Sequence, residues 1–175
     1  FQDVVDYYDS KGTSNEKMEA RYLMGCIFRD QKEAPKAMMW YNKAIECADT
    51  LSKKCDYVTL FSIYGQMAEV YSRQYLHREA INAYFNYSNY AARINDKENY
   101  ILGFANRIPE YYALGDTLQA INLVKKCYAL NNKYGLNVIV AINKFLTDTD
   151  KEIELLKEEL EKQDVELSLV ESHQK

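Results

Sequence analysis

Glycine and proline are scarce in this 175-residue chain, at six and two. An all-β domain of this length needs turn residues far more often, so the scarcity points to an all-α protein. Histidine occurs only twice, and no glycine-rich phosphate loop, H-E-x-x-H or Cys-x-x-Cys pair is present. The usual phosphate-binding, zinc-protease and redox constellations are therefore missing, and the expectation is a chain without catalysis, cofactor or metal. No apolar run nears the roughly 18 residues of a membrane span. A basic footprint is lacking too. From Thr147 onward ten acids face four lysines, and the 146 residues before it carry only +2. Nucleic-acid binders need concentrated positive charge to release counterions, so that partner class is excluded. What the chain does have is 47% apolar residues and 16 tyrosines, enough to bury a core without disulfides or metals.

The apolar residues repeat. Met24-Gly25 and Phe28 are followed by Ala37, Tyr41 and Ala44; Tyr64, Met67-Ala68 and Tyr71 by Ala80, Tyr84 and Tyr87; Phe104, Ile108 and Tyr111 by Ala120, Val124 and Cys127. These spacings resemble the tetratricopeptide pattern, although the anchor alanines lie 43 and 40 residues apart against about 34 in the standard unit. A small residue in each hairpin lets two helices approach while aromatics fill the groove beside it. The expected fold is all-α, a right-handed superhelical stack of antiparallel helix pairs. Residues 1–146 form the repeat domain, with units at about 18–51, 61–94 and 101–134 after a partial helix.

Local signals agree with the hairpins. Thr13 and Glu16 form a capping box, Pro35 suits a first helical turn near Ala34, Asp116 or Thr117 can cap the last helix, and Gly135 is placed to end it. Two positions depart from the pattern. Tyr87 stands where a small residue is usual and predicts looser or differently angled packing, and Pro109 predicts a kink in the first helix of unit three.

Residues 147–175 read as one acidic helix opened by a Thr149–Glu152 capping box. Ile153, Leu160 and Leu167 share one heptad position, and Leu156, Gln163 and Val170 the other. Two readings stand side by side: a cap on the last repeat, or a coiled coil through 149–175 that makes a homodimer. His77 falls in the link between helices and His173 in the tail, and both read as surface or loop histidines. Cys26 and Cys127 read as small core residues. Cys47 and Cys55 flank the link between units one and two, where a disulfide would close a short loop and contribute roughly 2–3 kcal/mol; in a reducing compartment both stay thiols.

Longer stretches, among them Tyr22-Leu23-Met24-Gly25, Glu33-Ala34-Pro35-Lys36-Ala37, Cys47-Ala48-Asp49-Thr50 and Tyr64-Gly65-Gln66-Met67-Ala68, resemble bacterial envelope-associated tetratricopeptide proteins with a downstream coiled segment. The resemblance implies a cell-envelope location, which would favour the Cys47–Cys55 bridge, and a membrane anchor elsewhere in the full-length protein; a cytoplasmic location is the alternative. Phe1 in place of Met, inside an apolar helical face, fits a chain that starts within a longer protein. The implied function is a protein-interaction scaffold binding a peptide or protein in its concave groove. The alternatives are an extracytoplasmic sensory domain of a membrane-anchored signalling protein and a secretion-type chaperone. Carrying the family's inner-face positions onto this register gives Tyr22 and Arg29 from unit one, Gln66, Glu69 and Arg73 from unit two, and Asn106 and Tyr112 from unit three. The Lys/Asn arrangement by which some family members clamp a C-terminal carboxylate is absent.

Overall fold

In a computed structural model of the chain, residues 2–135, 140–144, 149–162 and 167–171 are described. The only regular structure in the first stretch is helical. Helix α1 (Gln2–Lys11) precedes three packed units: α2 (Ser14–Asp30) with α3 (Ala34–Ile45), α4 (Tyr57–Arg73) with α5 (His77–Arg93), and α6 (Lys97–Ala105) and α7 (Ile108–Ala113) with α8 (Thr117–Tyr134). Each hairpin opens about four residues earlier than the repeat spacing suggested. The fold of this region is a tetratricopeptide-like helical repeat.

The ends of the helices follow from local chemistry. Thr13 and Glu16 make the reciprocal capping box of α2, and the Asp56, Asp96 and Asp116 carboxylates accept from the third residue of α4, α6 and α8. Such caps satisfy backbone donors that have no intrahelical partner. Gly135 closes α8 at φ 71°. Three-residue turns join α2 to α3, α4 to α5, α5 to α6 and α7 to α8, and the middle residue of each is left-handed: Lys32, Tyr75, Asn95 and Gly115. Only one of the four is glycine, which is why the sequence shows so little turn chemistry.

The main core joins units one and two. Met18, Ala37, Tyr41, Ala44, Leu60, Ile63, Ala68 and Ala80 lose all contact with solvent. Gly25 is required by the Tyr41 ring, because a Cβ there would lie 2.3 Å from Tyr41 Cε1. Tyr87 is accommodated differently from the expectation. Its ring lies between Gly65 of α4 and Gly103 of α6, where an added Cβ would come within 3.1 and 3.0 Å of it, and its hydroxyl donates to Asn99 Oδ1. The small residue has moved to the neighbours, so packing stays close instead of loosening. At Pro109 the chain does more than kink. With Pro in its first turn, α7 begins as a separate helix two residues after α6 ends, because proline offers no donor to continue the ladder.

The expected acidic helix over 147–175 is corrected. Helix α9 covers only Asp150–Glu161, and Leu167–Glu171 is a strand, β2, paired in parallel with β1 (Val140–Lys144) from Val140↔Leu167 to Lys144↔Glu171. Parallel strands need a crossover connection, and α9 lies within it. Heptad positions 167 and 170 therefore belong to a strand, so a single coiled coil through 149–175 does not form. Ile153 and Leu160 of α9 are buried, and α9 packs against α8 and β2. No described helix is long and apolar enough to cross a membrane.

Candidate partner-binding site

Helices α2 and α4 are the first helices of consecutive units, and they bring five of the seven expected groove residues together. The Arg29 guanidinium donates through Nη1 to Gln66 Oε1 across the unit boundary, and through Nε and Nη2 to Asp30 Oδ1 at 2.9 and 2.7 Å. Arg29 is thereby held in one orientation, with a quarter of its side chain exposed. One turn beyond Gln66, Glu69 lies 3.6 Å from Arg73, an exposed pair that contributes little to stability. Tyr22 completes the set. Burial pushes its phenol up to about 12, with Cys26 and Glu69 adding to the shift and Arg29 opposing it. Its ring leans on the fully buried Tyr41 at 6.1 Å. The result is a half-buried aromatic edge beside forked donors and one carboxylate.

The other two residues sit differently. Asn106 caps the end of α6, and Tyr112 lies exposed on α7, so the break before Pro109 divides them between two short helices. A cluster that the sequence does not reveal fixes α7 against unit two. Glu110, 4% exposed, accepts from Ser72 Oγ at 2.6 Å and lies 2.7 Å from His77 Nδ1. His77 is thus not a surface histidine but the first residue of α5, bound to a buried carboxylate. Tyr84 lies in the field of the same carboxylate and of Glu69, and burial pushes its phenol up to about 12. His173 lies outside the described residues.

Arg107 is the other group that sequence reasoning passed over. It is 6% exposed, donates through Nε to Gly103 O, and leaves Nη2 without a partner. Burial holds its guanidinium below the ordinary arginine range, and the rings of Phe104 and Phe85 lie 4.5 and 5.6 Å from it. A charge followed two residues later by proline gives no hint of such burial.

Cys47 and Cys55 are free thiols in this structure. Cys47 Sγ donates to Lys43 O at 3.4 Å. The link is instead held by Asn15, which donates to Lys54 O at 2.7 Å and accepts from Asp56 N at 3.0 Å. Burial raises both thiols above their ordinary range, which suppresses the reactive thiolate. Cys127 is buried in the core of unit three, as a small apolar residue would be. Among the described residues no group of three or more metal-ligating side chains comes together.

Comparison with known proteins gives two likenesses that overlap along the chain. The N-terminal domain of stress-induced protein-1 (STI-1) from C. elegans is similar in structure, with a TM-score of 0.59 over 84% of this chain and 97% of that one, at 15% sequence identity. That likeness is one of fold. The family model described as formate–tetrahydrofolate ligase matches residues 116–175. The formate–tetrahydrofolate ligase of Limosilactobacillus reuteri subsp. reuteri (strain JCM 1112) is 51% identical over 39 residues, which are 22% of this chain and 7% of that enzyme. The chain therefore spans a small fraction of the curated relative it matches.

Proposed function

We propose that this chain is a non-catalytic protein-interaction scaffold, and that the face carried by α2, α4 and the α6–α7 pair holds a peptide or protein partner. The observation that supports this most is the Arg29–Gln66 bond. It joins the first helices of two units and fixes a planar donor beside Tyr22, Glu69 and Arg73. Aromatic surface with oriented arginine is the combination enriched at binding hot spots. The helical-repeat fold supports the same reading, since such arrays expose extended surfaces for partners. A place in the bacterial envelope and a sensory role in a membrane-anchored protein are finer proposals that rest on the resemblance of the first hundred residues. The ligase likeness covers α8, β1, α9 and β2, and we assign no ligase chemistry to them.

The test is a peptide library selected on the immobilised chain. The double variant Arg29→Ala/Arg73→Ala is expected to stay folded with a loss of about 1 kcal/mol from the Arg29–Gln66 bond, and to lose most of the selected peptides. Asn42→Ala on the exposed side of α3 is expected to retain them. Retention by the double variant together with loss in Asn42→Ala would move the partner to the second helices.

A further inference from the structure

A cleft of about 480 Å³ opens between α1, α2 and α3, away from the residues of the proposed groove. Its size falls in the range of small-ligand sites, roughly 300–1,000 Å³. The floor is apolar: Val5 of α1 and Trp40 of α3 are 3% and 8% exposed. The rim carries two cations and two acids. Arg21 is fixed by Asp9, which accepts from Nη2 at 2.5 Å, and by Lys17 O, which accepts from Nη1 at 3.1 Å; its Nε–H has no acceptor among the described residues. Lys43 Nζ lies 4.8 Å over the Trp40 ring and makes no ion pair among the described residues. Glu46, the C-cap of α3, makes none among them either.

These charges decide the class of ligand. A simple anion would gain from Lys43 and the spare Arg21 donor but would meet Asp9 and Glu46, and a simple cation faces the reverse conflict. A net-neutral dipolar molecule satisfies both signs through charge-assisted hydrogen bonds, and an apolar body can lie on Val5 and Trp40. We propose that this cleft binds a small zwitterion with an apolar side chain, of the class of a free amino acid or a dipeptide. The carboxylate lies between Lys43 and Arg21, and the ammonium faces Glu46 and Asp9.

Trp40 is the single tryptophan of the chain, so its fluorescence reports on this cleft directly. The full chain is titrated with leucine, leucyl-leucine, and the amide of each, which keeps the ammonium and the apolar body but lacks the carboxylate. A saturable change in Trp40 emission is expected with at least one zwitterion, and which of the two binds more tightly distinguishes amino acid from dipeptide. The amides are expected to bind about tenfold more weakly or worse, the scale of losing one hydrogen bond to a charged group. Lys43→Met, which keeps an apolar stem on the indole, and Glu46→Gln are each expected to weaken the zwitterion by a similar factor. Arg29→Ala/Arg73→Ala is expected to leave it unchanged, so failure here is separate from failure of the groove. The proposal is overturned if neither zwitterion gives a saturable change in fluorescence or a heat of binding at millimolar concentration. It is also overturned if the amides bind equally well, or if Lys43→Met and Glu46→Gln have no effect.

Discussion

Helices α2 to α8 meet through glycine and alanine on one partner and aromatic rings on the other, whereas β1 and β2 meet through their backbones, with α9 as the crossover between them. In the array, the side chain that fills a position decides whether neighbours fit: Gly25 against Tyr41, Gly65 and Gly103 against Tyr87. In the C-terminal unit the parallel ladder supplies the pairing, and α9 contributes the buried Ile153 and Leu160. The two regions thus use different means of holding neighbours together. All 16 tyrosines and the tryptophan lie at or before Tyr134, so the tyrosine and tryptophan bands of near-ultraviolet circular dichroism follow the array.

The largest break in that comparison is expected at Gly25. A methyl group there would land 2.3 and 2.4 Å from two carbons of the fully buried Tyr41 ring, and overpacking of this kind costs about 2–3 kcal/mol. Gly25→Ala should therefore lower the melting temperature followed by the tyrosine signal; unchanged melting would mean that the hairpin does not close on Tyr41. A smaller loss, about 2 kcal/mol, is expected for Glu110→Ala, which strands Ser72 and His77 without their shared acceptor. Glu110→Gln keeps an acceptor for Ser72 and should cost less, and the difference between the two melting curves measures the cluster. Least of all should Leu160→Ala touch the array. It removes a fully buried side chain from α9, and far-ultraviolet signal should be lost early while the tyrosine signal melts as before. Coincident loss of both signals would show that the two regions fold as one.

Legibility in the sequence follows the same division. The capping residues Thr13, Glu16 and Asp116, the stop at Gly135 and the effect of Pro109 are local chemistry, readable a few residues at a time. The anchors Ala37, Ala80 and Ala120 are readable because the pattern recurs, and all three are buried. The set of Tyr22, Arg29, Gln66, Glu69 and Arg73 gathers on α2 and α4 because a repeat register fixes which side of the first helix each position faces. Glu110 was not readable. It joins residues 33 and 38 positions away, and beside a proline it reads as solvated surface. The turns were silent because lysine, tyrosine and asparagine adopt the left-handed backbone that glycine would have announced. In the tail, charge and a heptad spacing outweighed two short signals. Val138 to Ile142 is a continuous apolar run of the kind found in buried parallel strands, and Val165, Leu167 and Leu169 alternate with polar residues as strands do.

The proposed partner-binding face is one surface shared by the first helices of the units. Hydrogen exchange on the full chain, with and without a peptide selected on it, tests this most directly. Binding is expected to slow exchange in α2 and α4 around Tyr22–Arg29 and Gln66–Arg73, with α3 and α5 unchanged. Slowing confined to α3 and α5, or to residues 140–171, would contradict it.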